Sequence, residues 1–322
     1  MVKGIRKKPI YRGMSVVFFF VMTICMVLGM SGCGYKRHYF PAEELTDYRN
    51  PIVFMEDSKS GDNYFIYLNE PEKRYPLDFI EIFDYNEENQ TFMFSTERDG
   101  EEYIAEYDLK KMEYTYLLGE NTIAEKIDKT NDKTIINAYY YPGQGKISFT
   151  YTDYDAEHLV VYDMQKEAWI HYLKKDRSQA YEICGWKDSE TGYFFIWVDD
   201  DDVYDIMEVD VTGEAKRIKG NVGRDIVFSQ DMTMAAGHGV ENWFGIYVEP
   251  VVVWDMQKDK VMRFHESDNT MARTQLSEDG KYVMLAQYEY ETGLYSLICI
   301  RIKDEKVCII YETEDAIRDV LW

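Results

Sequence analysis

Cysteine is scarce, with five in 322 residues. Cys25 and Cys33 belong to an N-terminal apolar run, which leaves Cys184, Cys299 and Cys308 for the rest of the chain. Three thiols at unrelated spacings supply neither a zinc site nor a disulfide framework. Cys299 and Cys308 lie in the apolar runs SLICIRI and KVCIIY, where a free thiol acts as a small hydrophobe; a diagonal bridge between neighbouring strands is the alternative. Enzyme motifs are missing as well. The chain has no Gly-x-Ser-x-Gly elbow, no glycine-rich phosphate loop and no His-Glu-x-x-His. His38, His158, His171, His238 and His265 are scattered at no ligand spacing and read as polar surface residues. Capped helical periodicity is absent over any three turns, with TIAEKIDK (122–129) as the one helical candidate.

Positive charge is in short supply, 36 basic residues against 59 acidic, for a net charge of −23. No acidic residue precedes Cys33, while Lys3, Arg6, Lys7, Lys8 and Arg12 do. Removing those five leaves 31 basic residues against all 59 acids, a net charge of −28. Such a surface excludes nucleic acid and repels anionic headgroups, and it leaves cationic, peptide or sugar partners open. The basic head is followed by the apolar stretch Met14 to Met30 and the small residues Ser31 and Gly32, the order of an export signal. The ending Met30-Ser31-Gly32-Cys33 resembles the lipobox of bacterial lipoproteins, with Met where Leu is usual. That resemblance implies cleavage after residue 32 and lipidation of Cys33, for example by palmitate. The alternative is an uncleaved transmembrane anchor, since 17 apolar or small residues reach only the short end of spanning length. The expected organisation is a signal peptide over 1–32, a tether over 33–50 and one domain over 51–322.

That domain is repetitive. YDLKKMEYTYLL (107–118), YDMQKEAWIHYL (162–173) and WDMQKDKVMRFH (254–265) share one frame. VDVTGEAKRIKG (209–220), IRIKDEKVCIIY (300–311) and the weaker YLNEPEKRYPLD (67–78) fit it too, with Arg301 where an Asp would stand. Anchors at 67, 108, 163, 210, 255 and 301 give a period near 45 residues, one of them lengthened by the helical candidate. Upstream of the anchors lie β-branched and aromatic runs such as KISFTYTDY and KYVMLAQY, bounded by turns such as Asp279-Gly280. Four short strands per period predict the blades of a β-propeller. Asp108, Asp163, Asp210 and Asp255 recur with the period and read as turn formers.

LSEDGKYVMLA and FSQDMTMAA, each followed by a two-stranded hairpin, resemble the repeats of TolB-type and WD-like propellers. The resemblance spans 51–322 and implies an all-β, six-bladed propeller; seven blades would require strands within 35–50. Strands b, c and d of the first blade lack a strand a ahead of them, whereas DAIRDVLW at the C-terminus matches one. The C-terminal strand is therefore expected to complete the first blade and close the ring.

In a propeller, the b–c connections share one face. Here they are acidic and mostly aromatic, and Tyr154, Trp243, Phe244, Tyr247 and Tyr290 are the ligand-binding candidates; for Trp243, Phe244 and Tyr247, packing against blade five is the alternative. Asp199, Asp200, Asp201 and Asp202 offer clustered carboxylates for Ca²⁺, though without the alternating ligands and glycine of a loop site; otherwise they form a solvated turn. No other cofactor is implied. The sequence favours a membrane-anchored, extracytoplasmic binding protein for an envelope protein, peptide or glycan. A glycan lyase or hydrolase, or a structural subunit of an envelope complex, is the alternative.

Overall fold

A computed structural model of the chain describes residues 38–45, 50–126, 134–143, 145–153, 156–176, 181–198, 203–210, 212, 214–220, 222–229, 231–239, 241–243, 246–248, 250–264, 274–277, 279–290 and 292–322. They form six four-stranded antiparallel sheets and one separate hairpin. Each sheet is a blade, with strands named a to d from the propeller axis outward. The first blade orders Ala316–Leu321, Ile52–Glu56, Asn63–Tyr67 and Tyr75–Pro76; the second orders Glu81–Asn86, Thr91–Arg98, Glu101–Asp108 and Glu113–Gly119. Blade three runs Thr134–Tyr140, Lys146–Thr152, Ala156–Asp163, Ala168–Asp176. Blade four runs Tyr181–Trp186, Thr191–Val198, Val203–Asp210, Ala215–Gly220. Blade five holds Arg224–Phe228, Met234–His238, Val251–Asp255 and Lys260–Phe264. Blade six holds Gln275–Leu276, Tyr282–Glu289, Leu294–Arg301 and Lys306–Thr313.

Strand b explains why the repeats read as nearly unbroken apolar runs. Side chains alternate between the two faces of a strand, and each face of a blade packs on a neighbour. Ile52 and Phe54 therefore join Phe92 and Phe94 between blades one and two. Val53 and Met55 turn the other way, to Met284 and Leu297 of blade six. Met93 of the same strand as Phe92 meets Phe149 and Val160 of blade three. The same alternation continues through blades four and five, so the core is a ring of interblade clusters.

The ring closes as the repeats imply. Ile52 pairs with Leu321 and Val53 with Val320, antiparallel. The Asp315 carboxylate locks this strand in place by accepting from Tyr64 Oη at 2.6 Å, the Ser58 amide at 3.0 Å and Arg74 Nη2 at 2.8 Å. The blades number six, and the seven-bladed alternative is excluded. The helical insertion is seen as a single helix, Glu120–Lys126, following strand d of blade two; residues 127–129 of the expected segment lie outside the described residues.

The recurring aspartates make the c–d turns. Asp108 Oδ1 accepts from the amides of Lys110 and Lys111, Asp163 from Gln165 and Lys166, Asp210 from Thr212 and Glu214, and Asp255 from Lys258. Arg301 is the exception. It forks onto Asp304 and reaches Glu44 Oε2 at 2.8 Å, over the Phe40 ring at 4.5 Å. Tyr39 bridges Val307 in parallel, and Phe40 and Leu45 are buried beside Tyr282, Cys299 and Cys308. Part of the segment expected to be a tether is thus docked on the last blade.

Cys184, Cys299 and Cys308 are buried thiols outside any disulfide among the described residues; the last two stand directly opposite each other on strands c and d. His158 and His238 are buried, not surface, residues. His158 pairs with Asp153 at 2.7 Å beneath the Tyr151 ring because an imidazole excluded from water needs a polar partner. His38 is exposed, and His265 lies outside the described residues.

Candidate binding cavity

Strand a is irregular in five of the six blades. Its register against strand b shifts at Ile82/Asp84, Ile135/Asn137, Ile183/Gly185 and Arg224/Val227, and opposite Phe54/Met55 in the closing strand. A bulge bends its strand and re-aims the residues beyond it. Those residues are the ones that meet at the axis. They enclose a cavity of about 470 Å³, lined by the C-terminal ends of all six a strands and by a–b turns. Its walls include Phe83, Tyr85, Tyr139, Tyr140, Trp186 and Phe228, with Trp322 contributed by the closing strand.

The wall residues are held by neighbouring blades. Asp84 Oδ2 accepts the Tyr140 amide at 2.8 Å, and Asp84 Oδ1 accepts the Tyr85 amide at 2.9 Å. Tyr140 Oη reaches back to Glu106 at 2.9 Å and Thr91 at 2.8 Å. Burial, reinforced by the Glu106 carboxylate, pushes the Tyr140 hydroxyl far above the ordinary tyrosine range. Trp186 Nε1 donates to Ser148 Oγ of blade three at 2.6 Å, and its ring stands edge-on to Tyr141. Trp322 Nε1 is buried without a protein acceptor. Ser229 and Ser277 also line the cavity, but their hydroxyls are engaged in the a–b turns. Ser277 Oγ donates to Asp279 at 2.9 Å and accepts the Lys281 and Tyr282 amides at 3.1 and 3.0 Å; Ser229 repeats the arrangement with Asp231, Thr233 and Met234.

Among the described lining residues charge has one sign: Asp84, Glu87 and Glu88 all come from blade two, and none of the described lining residues is Lys, Arg or His. The chemistry available is therefore aromatic surface plus carboxylate, suited to a cationic group.

The cavity opens at the a–b and c–d end of the ring, opposite the b–c connections named from the sequence. Of the residues named there, Tyr290 is 75% exposed and packs edge-on to Tyr288. The long b–c connection of blade five contains the hairpin Glu241–Trp243 and Ile246–Val248, in which Trp243 pairs with Ile246 and Tyr247 with Asn242. Trp243 and Tyr247 are thus not register partners. Tyr154, Phe244 and Asp199 to Asp202 lie outside the described residues, as does Cys33. Among the described residues, no three Asp, Glu, His or Cys gather with metal-site geometry, and no helix is long and apolar enough to cross a membrane.

The cavity residues were missed by the sequence reading, although a signal exists. FDYN, AYYYP, CGWK, VFSQ and DVLW each place an aromatic at the end of strand a. The signal is muted because the a strands are otherwise the least regular part of each repeat.

Fold and site define the class as a six-bladed β-propeller with an acidic, aromatic axial cavity. Comparison of structures places it beside TolB from Acinetobacter baumannii, with a TM-score of 0.60 at 14% identity over 85% of this chain and 67% of that one. A putative TolB from Agrobacterium tumefaciens gives 0.53 at 11% identity over 84% of this chain and 91% of that one. A chain of a nidogen/laminin complex gives 0.53 at 11% identity over 84% and 97%. Likeness at this identity establishes the fold alone. No protein-family model matches the sequence, and no curated protein matches it.

Proposed function

We propose that this protein is an exported, Cys33-lipidated binding protein of the cell envelope whose propeller takes a cationic group into its axial cavity. The observation that carries the reading is the cavity itself: aromatic walls, carboxylates from one blade and no basic residue among the described lining residues. Binding is favoured over catalysis because the cavity serines spend their hydroxyls on turn geometry, and none of the described lining residues is a histidine that could act as their base. The export signal and the lipobox-like ending support an extracytoplasmic, membrane-held location.

The ligand class is tested by fluorescence of the full-length protein, since Trp186 and Trp322 border the cavity. Tetraethylammonium is expected to change the emission saturably, and maltotriose at the same concentration is not. Substituting Glu87→Gln and Glu88→Gln together is expected to weaken the cation's effect at least several-fold. A response to maltotriose of equal size, or a cation response that survives in the variant, overturns the assignment. The anchor is tested separately: Cys33→Ala should abolish incorporation of labelled fatty acid and leave an unprocessed precursor.

A further inference from the structure

Residues 39–45 lie at the cavity end of the ring. Phe40 stacks on Tyr282, whose amide is held by the cavity residue Ser277, and both Phe40 and Trp322 pack in the same apolar cluster. The dock is built from several kinds of contact. The Phe40 amide donates to Val307 O at 3.0 Å, Glu44 pairs with Arg301 at 2.8 Å, and Phe40 and Leu45 are 4% and 8% exposed. Arg301 is also the one anchor of the later repeats that is not Asp. Six residue steps separate Cys33 from Tyr39, a span of at most about 22 Å even when fully extended.

Charge is distributed unevenly between the two ends of the ring. The c–d turns at the cavity end set exposed Lys110, Lys111, Lys166, Lys258 and Lys303 against acidic residues such as Asp108, Asp163, Asp255 and Asp304, so their charges nearly cancel. The b–c connections at the opposite end are acidic, with Glu56, Asp57, Asp99, Asp153 and Glu289 among the described residues there. An anionic bilayer therefore repels the b–c end more strongly than the cavity end.

We propose that residues 39–45 form a rigid mount that turns the cavity toward the membrane holding the lipid anchor, so that the cavity's partner is a basic segment of a protein borne on that same membrane. This rests on the lipidation of Cys33 and on the cationic reading of the cavity. A short tether fixed at the cavity end keeps that end close to the bilayer, while the acidic opposite end points to bulk solvent. A basic juxtamembrane segment complements the carboxylates and lies within reach.

The test uses the full chain, purified with its acyl groups and reconstituted in vesicles containing phosphatidylglycerol. The three native thiols of the domain are buried, so single reporters Lys110→Cys and Tyr290→Cys can be labelled selectively. Energy transfer to a headgroup acceptor is expected to be at least twofold greater from position 110 than from 290. Arg301→Asp puts in this turn the residue that other repeats use; it should keep the blade strands protected from amide exchange, release 39–45 to fast exchange and erase the difference between reporters. A lysine-flanked hydrophobic peptide in the same vesicles should cross-link through carbodiimide to the parent protein, and about tenfold less to the Glu87→Gln/Glu88→Gln variant or from separate vesicles. Equal transfer from both reporters in acylated protein overturns the mount alone. Equal cross-linking from separate vesicles overturns the membrane-borne partner, and absence of acyl groups by mass overturns the anchored reading and the mount with it.

Discussion

Ser277 shows how one side chain sets a turn beside the cavity. Its Oγ is buried, gives its hydrogen to Asp279 and receives two backbone amides. Ser277→Ala leaves those amides without their acceptor, at a cost of about 1–3 kcal/mol, and is expected to lower the melting temperature by several degrees; an unchanged melt contradicts this role. The turn aspartates give a pH dependence. The Ser60 and Lys59 amides and Arg74 hold Asp57 down at about 2. Lys111, Lys166 and Lys258 lower Asp108, Asp163 and Asp255 in the same way. A carboxyl depressed in the folded state stabilises the fold above its unfolded value, near 4, and loses that contribution as the pH falls through its folded value. Melting temperatures are therefore expected to drop between pH 4 and pH 2. A flat profile across that window would show that these bonds add nothing.

At the scale of the strand, the closing segment does several jobs at once. Ala316–Leu321 supplies strand a of the first blade, its Ile317 and Val320 fill the cluster between blades six and one, and Trp322 walls the cavity. Deleting 315–322 removes the Asp315 clasp and bares the backbone edge of Ile52–Glu56. An unpaired edge on a buried strand is both destabilising and adhesive. The truncated protein is expected to aggregate on expression or to melt at least ten degrees below the full chain. A monomeric product with an unchanged melt would refute the closure as a source of stability.

The whole molecule is governed by its charge. A net −23, or −28 without the basic head, means that folding gathers like charges, and the resulting repulsion falls as salt screens it. Raising NaCl from 10 to 150 mM is expected to raise the melting temperature. The turn pairs Lys111–Asp108 and Lys258–Asp255 oppose this only weakly because their lysines are exposed. A melting temperature that falls with salt would mean that ion pairs outweigh the net repulsion.

The sequence by itself determined the blade number, the strand order and the closing strand. These follow from local chemistry: alternating apolar residues set strands, an Asp four or five residues before the next run sets a turn, and the period repeats both. Asp108, Asp163, Asp210 and Asp255 were legible for that reason, because each acts on amides within four residues of itself. Arg301 was visible only as a broken pattern, since its partners Glu44 and Phe40 lie more than 250 residues away. The cavity was out of reach for the same cause. Asp84, Trp186, Phe228 and Trp322 come from four separate blades, and bulges in strand a help direct them to the axis. Only closure of the ring puts them around one space, so only the tertiary structure decided that a cavity forms at the a–b end of the propeller.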